Sequence, residues 1–173
     1  MKDKLLNAMD RFKEQQHAHA PHRQNGSAPP VPPAVIYSRT RSVVIPDEVL
    51  RLHRIQTGRE SNQFSDAYKI LRTQVIHRLR ENNWNVLGMT SPKDGEGKTL
   101  TSINLAIALA AEPTQTVLLV DADLRNPHVH EEFGLESNDG LTEFLLDGRS
   151  IEEMLVSPGL GRLIVLPGGR GTD

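Results

Sequence analysis

Residues 91–99 read Ser-Pro-Lys-Asp-Gly-Glu-Gly-Lys-Thr, and this stretch decides the fold of the chain. A short apolar run precedes it at residues 86–90, and a helical pattern follows from Leu100 to Ala111. Glycine accepts positive φ angles, so the backbone N–H groups of such a loop can close around an anion. A helix that begins near Lys98 adds its own unpaired N–H groups and its positive dipole end. Strand, glycine loop and helix in this order predict a phosphate-binding loop.

The side chains of the loop indicate a nucleotide triphosphate. Lys98 is placed to reach the β- and γ-phosphates, and the Thr99 hydroxyl is placed to bind Mg²⁺. The strict phosphate-loop pattern has glycine where this chain has Pro92, so the match is to the shorter core Gly-x-Gly-Lys-Thr. The nucleotide contacts are predicted to come from the loop and the first helical turn: Asp94, Gly95, Glu96, Gly97, Lys98, Thr99 and Leu100.

Two carboxylates follow the next apolar run. Residues 117–120 read Val-Leu-Leu-Val, which predicts a central parallel strand buried on both faces. Asp121 and Asp123 come directly after it, with Arg125 two residues further on. The carboxyl ends of parallel strands face the crevice in which α/β proteins bind ligands. Carboxylates beside a triphosphate need a cation, so Asp121, Asp123 and Thr99 are predicted to bind Mg²⁺.

Hydrophobic periodicity predicts the remaining elements. Residues 47–60 are ambiguous, although Val49, Leu52 and Ile55 would form one helical stripe that ends at Gly58. The other predicted elements are a long amphipathic helix over 62–82, a first core strand over 86–90, a helix over 98–111, short helices over 141–146 and 150–156, and a third core strand over 163–166.

Composition divides the 173-residue chain in two. Residues 1–60 contain ten Lys/Arg and six Asp/Glu, a balance of +4, and the remaining residues have a balance of −6, for a net charge of −2. Residues 17–46 hold six of the eleven prolines and lack an apolar period, which predicts disorder. The chain has no cysteine, no apolar run of membrane-spanning length and no signal-peptide pattern. We therefore predict a flexible, basic, Pro-rich leader with short helices over 1–60 and the N-terminal portion of a nucleotide-binding domain over 61–173.

Three segments together resemble one family. Gly95–Thr99 and Val117–Arg125 resemble the Walker A and Walker A′ motifs of bacterial tyrosine autokinases, the kinases of capsule and exopolysaccharide export systems. Residues 66–73 resemble the family helix Glu-x-x-Arg-x-x-Arg, with Asp66, Lys69 and Arg72 at its positions. The resemblance covers residues 62–169. It implies an α/β fold, a P-loop NTPase-like parallel sheet with flanking helices, incomplete here and preceded by a disordered leader.

The resemblance also implies a function. It indicates an ATP-binding protein-tyrosine autokinase that regulates exopolysaccharide biosynthesis and export, with ATP and Mg²⁺ as cofactors. Lys98, Asp121 and Asp123 would be the catalytic residues, and Arg125 would contact the nucleotide. The family implies a homo-oligomer through helix 62–82 and a membrane-bound polysaccharide co-polymerase as partner. That places the protein in the cytoplasm, peripheral to the inner membrane, and no nucleic acid is expected.

The chain departs from the family pattern in two parts. The Walker B strand, expected after the third core strand, and the C-terminal tyrosine cluster are missing, since Tyr37 and Tyr68 both precede the loop. The sequence is therefore expected to be the front part of a kinase. Two alternatives stay open. Lys93 occupies the place of the signature lysine of deviant-Walker positioning and partitioning ATPases, although Asp94 stands where that loop has glycine. The other alternative is a nucleotide-binding module without transfer activity.

Overall fold

A computed structural model describes residues 40–58, 62–136 and 139–172 of the chain. Its helices are α1 (Asp47–Leu52), α2 (Gln63–Glu81), α3 (Lys98–Ala110), α4 (Val129–Glu132) and α5 (Leu141–Asp147), with a 3-10 turn at Ile151–Glu153. Its strands are β1 (Arg41–Ser42), β2 (Val117–Val120), β3 (Val156–Ser157) and β4 (Leu163–Leu166). In this part of the chain, no helix is both long and apolar enough to cross a membrane.

The strands form one sheet in the order β1-β3-β4-β2. β1 pairs with β3 and β2 pairs with β4 in parallel, whereas β3 and β4 are antiparallel. Val120 lies opposite Leu166, and the Asp121 N–H donates to the Leu166 carbonyl at 3.0 Å, which extends the ladder by one residue. A mostly parallel sheet with helices packed on it confirms the predicted α/β class.

The core lies between α3 and the sheet. Ile103 and Ile107 of α3 pack in one buried cluster with Leu163 and Val165 of β4, and Phe133 after α4 completes it. Full burial of each such side chain contributes about 1.5–3 kcal/mol to folding. This packing holds the first turn of α3 in place, and the candidate phosphate loop leads directly into that turn.

The long helix is confirmed. Asn62 caps α2, because its side-chain oxygen accepts the N–H groups of Phe64 and Ser65 at 3.0 and 2.9 Å. The amphipathic pattern of α2 places Phe64 and the apolar side chains at 68, 71, 75 and 79 on one stripe, of which the last four are half-buried and Phe64 is exposed. The α2 stripe therefore covers α3 only in part.

Residues 41–57 correct the predicted leader boundary. β1 pairs with β3, and Ile45, Leu50 and Ile55 join the core, so the folded unit begins before residue 61. Leu52, expected on the buried stripe of a helix, is exposed. A two-residue strand produces no readable periodicity, which explains the error. The predicted leader before residue 40, with any short helix in it, lies outside the described residues.

The prediction of a first core strand at 86–90 is wrong. This segment pairs with no strand in the described part of the chain, and its side chains are exposed. The prediction that β2 is central is wrong for a related reason: among the described strands β2 pairs with β4 alone, and Leu118 is 52% exposed. A strand is buried on both faces only when other elements cover both faces of the sheet. Among the described elements, helix α3 covers one face of β2.

A groove of about 1290 Å³ separates these two segments. Trp84–Thr90 form one wall and Val117–Val120 the other, with Leu105 and Leu109 of α3 between them. One end of the groove is lined by Lys98 and Thr99. Residues 86–90 pair with no described strand, and β2 has a ladder partner on its β4 side, so among the described strands its other edge is open to the groove.

The end of the chain differs from prediction in one element. The helix expected over 150–156 is a 3-10 turn followed by β3, with Val156 and Ser157 buried in the sheet. The predicted helix over 141–146 is α5, closed by Gly148 at φ 68°, and the predicted strand over 163–166 is β4. Residues 150–153 read Ser-Ile-Glu-Glu, the spacing of a capping box, which favours a helix, but pairing of Val156 with Val165 places the segment in the sheet instead.

Candidate functional site

The loop at 91–97 leads into α3 through two left-handed glycines. Gly95 has φ 76° and Gly97 has φ 84°, a region in which a β-carbon is strained. Gly97 is the N-cap of α3 and provides no side-chain cap, so the first amides of the helix have no capping side chain. Free amides and the helix dipole at this point favour an anion. The predicted phosphate-binding geometry is therefore present in the backbone.

Lys98 reaches across to the end of β2. Its ammonium group donates to the Asp123 carboxylate at 2.8 Å, and both side chains are about two-thirds covered. The hydrogen bond from Lys98 holds the pKa of Asp123 below its ordinary value, and the bond to Asp123 raises the pKa of Lys98. The structure thus brings together two residues, 25 positions apart, that the sequence placed at one site.

The Lys98–Asp123 pair predicts a pH dependence of stability. Asp123 has a depressed pKa, so its contribution is present above the unfolded pKa of about 4 and is lost as pH falls through the lower folded value. Lys98 has a raised pKa, so its contribution is present below about 10.4 and is lost as pH rises through the folded value. The difference in unfolding free energy between the wild type and Asp123→Asn should therefore be flat from about pH 5 to 9 and shrink on both sides. Urea unfolding across this range measures it, and a difference that grows below pH 4 would contradict the pairing.

Asp121 is buried and committed to the backbone. Its side chain is 5% exposed, and its Oδ2 accepts the N–H groups of His128 and Val129, each at 3.0 Å. Its Oδ1 accepts the N–H of Asp123 at 3.2 Å. The carboxylate therefore shapes the loop that carries Asp123. A direct role for Asp121 toward Mg²⁺ or substrate stays a prediction.

The other predicted residues fall into two groups. Thr99 and Leu100 are half-buried in the first turn of α3, and Thr99 lines the groove. The remaining ones are exposed: Lys93, Asp94, Glu96 and Arg125. No cluster of three or more histidine or carboxylate side chains suited to a metal occurs in the described ranges. Any Mg²⁺ here would thus need phosphate and water oxygens besides the Thr99 hydroxyl and carboxylate oxygens.

The residues proposed for oligomerisation are engaged within their own chain. Lys69 pairs with Asp66 at 2.8 Å on the surface of α2. Arg72 contacts the Glu112 carboxylate at 3.3 Å and donates to the Ala108 carbonyl at 3.4 Å. Arg72 therefore joins α2 to the C-terminal end of α3. An oligomer through these side chains stays a prediction.

Sequence reasoning missed one buried charge near the site. Glu143, in the first turn of α5, is 2% exposed and accepts the Gly140 N–H at 2.7 Å. A glutamate three residues after an N-cap glycine is the second half of a capping box, so the spacing was available in the sequence. Its other partner, Arg170, is 27 residues away and could not be foreseen.

Known proteins are similar in sequence to the segment that carries the loop 91–97, Lys98 and Asp123. Residues 87–157 match the CobQ/CobB/MinD/ParA nucleotide binding domain. The chain is 38% identical to the tyrosine-protein kinase YwqD of Bacillus subtilis over 105 residues. This aligned segment covers 61% of this chain and 44% of YwqD. It is 32% identical over 113 residues to the tyrosine-protein kinase CpsD of Streptococcus agalactiae, 65% of this chain and 48% of CpsD. Over these residues the chain is similar to bacterial tyrosine-protein kinases.

A solved structure supports this relationship to the tyrosine kinases. The BceF tyrosine kinase domain superposes on this chain with a TM-score of 0.59 and 26% sequence identity. The superposed part covers 79% of this chain and 49% of the BceF domain. This confirms the P-loop NTPase-like fold and favours the kinase hypothesis over the positioning ATPase, since the curated relatives are named tyrosine kinases. The chain spans about half the length of YwqD and CpsD, the relatives described above.

Proposed function

We propose that this chain is the ATP-binding portion of a protein-tyrosine autokinase. The observation that carries the proposal is the placement of Lys98, at the start of an uncapped helix, 2.8 Å from Asp123 at the end of the neighbouring strand. A triphosphate at this helix start would receive amide hydrogen bonds and the Lys98 ammonium group. Lys98 would then leave Asp123, and the freed carboxylate could take up Mg²⁺ beside the Thr99 hydroxyl.

The reaction would be phosphoryl transfer. A tyrosine hydroxyl oxygen would attack the γ-phosphorus of ATP as the bond from that phosphorus to the β,γ-bridging oxygen breaks, so that phosphotyrosine forms and ADP leaves. The tyrosine proton passes to a nearby carboxylate, and Asp121 and Asp123 are the candidates in the described part of the site. The chain's own contribution is the position of the phosphates and the compensation of their charge, which is most of what this chemistry requires.

A binding module without transfer activity is the second candidate. The commitment of the Asp121 carboxylate to three backbone amides favours it, because such a carboxylate is less available to a metal or a proton. The two candidates share the same nucleotide site and differ in whether phosphate leaves it. Phosphate on a tyrosine is therefore the property that separates them.

The biological setting follows by analogy with the relatives. The kinase would regulate exopolysaccharide or capsule biosynthesis and export. It would work in the cytoplasm beside the inner membrane, with a membrane-bound polysaccharide co-polymerase as partner. Self-association would use α2, and it would require Lys69 and Arg72 to exchange their present partners for those of a second copy.

Calorimetry and mass spectrometry test the proposal on the chain as it stands. We expect titration with ATP to release heat in the presence of Mg²⁺ and binding to weaken when Mg²⁺ is removed, because the triphosphate charge then lacks its cation. Absence of ATP binding under both conditions would overturn the proposal. Phosphotyrosine on the chain after incubation with ATP and Mg²⁺ would identify a kinase and exclude a module without transfer activity.

A further inference from the structure

Glu143 is a buried carboxylate with partners on two elements. Its Oε2 accepts the Gly140 N–H at 2.7 Å, and its Oε1 accepts from the N–H and the Nε of Arg170 at 3.3 and 2.8 Å. Burial raises the pKa of Glu143, but the hydrogen bonds from Arg170 and the backbone outweigh it, so the pKa lies below its ordinary value. Glu143 is therefore charged at neutral pH, although it is 2% exposed.

These bonds attach the segment 167–172, here called the clamp loop, to α5. The Leu141 and Thr142 N–H groups donate to the carbonyls of Pro167 and Gly168 at 2.8 and 3.0 Å. In these two bonds α5 donates to the loop, whereas the Glu143 carboxylate of α5 accepts hydrogen bonds from Arg170 of the loop. The clamp loop is thus held by both its donors and its acceptors, which leaves it little freedom to shift along the helix.

The other side of the clamp loop lies on the loop 121–127. A β-carbon at Gly168 would be 2.5 Å from the Pro127 side chain and 3.5 Å from the carboxyl carbon of Asp121. The N–H and hydroxyl of Thr172 both donate to the Leu124 carbonyl, at 2.8 and 3.0 Å. The clamp loop therefore binds the carbonyl of Leu124, the residue after Asp123, and lies against the side chains of Pro127 and Asp121.

We propose that Glu143 is a positioning residue for the nucleotide site, which acts through Arg170 and the clamp loop to fix Asp123 opposite Lys98. The inference rests on the proposed function, since it concerns the same site. A carboxylate is required because two oxygens accept from two separate elements. A glutamine side chain has one oxygen, so its NH₂ group would face either the Gly140 N–H or Arg170, both of which are donors.

The test compares Glu143→Gln with Asp147→Asn. Asp147 is the matched control, because it also accepts from Arg170, at 2.7 Å, but lies on the surface. We expect Glu143→Gln to weaken ATP·Mg²⁺ binding about 10-fold, as loss of an outer-shell partner does at metal sites, and to speed tryptic cleavage after Arg125 several-fold. Asp147→Asn should stay within about 2-fold of the wild type in both. An unchanged affinity and cleavage rate in folded Glu143→Gln would overturn the proposal.

A double-mutant cycle separates positioning from a general structural role. If Glu143 acts through Asp123, Glu143→Gln should have no further effect on ATP affinity in an Asp123→Asn background, whereas a general loss of structure would weaken both backgrounds equally. If Glu143→Gln does not fold, Arg170→Gln provides the same comparison from the exposed partner. If the wild type binds no ATP, the proposed function fails. The rate of cleavage after Arg125 then tests by itself whether Glu143 fixes the loop 121–127 through the clamp loop. Faster cleavage in the variant then supports the clamp, and an unchanged rate contradicts it.

Discussion

Replacing Lys98 with alanine should abolish measurable ATP·Mg²⁺ binding. Lys98 is the cation at the start of α3, and its ammonium group lies in the groove end that holds Thr99 and Asp123. A charge-assisted hydrogen bond to phosphate is among the strongest polar contacts in a binding site, so we expect a loss of at least about 100-fold in affinity. The variant should remain folded, because Lys98 is only half-buried and its partner Asp123 can be solvated.

Lys93→Ala is the matched control for Lys98→Ala. It removes the same charge from the same loop, but Lys93 is exposed and lies before the left-handed glycines. We expect a change of less than about 5-fold in calorimetry, as is usual for an exposed charge. Equal affinity of Lys98→Ala and the wild type would refute the loop assignment. A large loss in Lys93→Ala would instead favour the positioning-ATPase hypothesis.

Gly140→Ala should cost about 3 kcal/mol or more of folding free energy. A β-carbon at this position would lie 2.2 Å from the Pro167 carbonyl oxygen and 2.4 Å from the Gly169 nitrogen. Both neighbours are backbone atoms of the clamp loop, and the α5 amides of Leu141 and Thr142 bind the carbonyls of Pro167 and Gly168 beside them, so neither can move aside alone. Relief of the clash must separate α5 from the clamp loop.

Gly88→Ala is the control for Gly140→Ala. No atom lies within 4 Å of a β-carbon at Gly88, so its effect should be within about 0.5 kcal/mol. Urea unfolding followed by circular dichroism measures both variants. If Gly140→Ala unfolds with the wild-type midpoint, the close approach of these two backbones is wrong.

The elements that sequence alone predicts well are those with local signals. α3 combines an apolar period with glycines that fix its start, and α5 is closed by a left-handed Gly148. β4 is a continuous apolar run of four buried residues, and such a run reads as a strand wherever it lies in the sheet. Each of these signals lies within a few residues of the element it defines.

The errors concern relations between distant segments. Whether 86–90 pairs as a strand depends on what lies beside it, and no local pattern contains that information. β3 and the 3-10 turn before it lie where a capping box favours a helix, because pairing between Val156 and Val165 outweighs the local preference. β1 is too short for any periodicity.

The site was predictable to the same extent. The rule that ligands lie at the carboxyl ends of parallel strands places Asp123 near Lys98, and the two are in contact. The rule does not distinguish Asp121 from Asp123, although one carboxylate is buried among backbone amides and the other is half-buried and bound to Lys98. That difference arises from the turn into α4, whose first amides bind Asp121.

The groove has a consequence for spectroscopy. Its wall contains Trp84, the only tryptophan of the chain, and this indole is 62% exposed. Unfolding of the core will change its emission little, because the ring is already largely hydrated in the folded protein. A molecule that covers the groove will dehydrate the ring and shift its emission to shorter wavelength. Intrinsic fluorescence of this protein is therefore a weak reporter of stability and a direct reporter of what lies between 84–90 and β2.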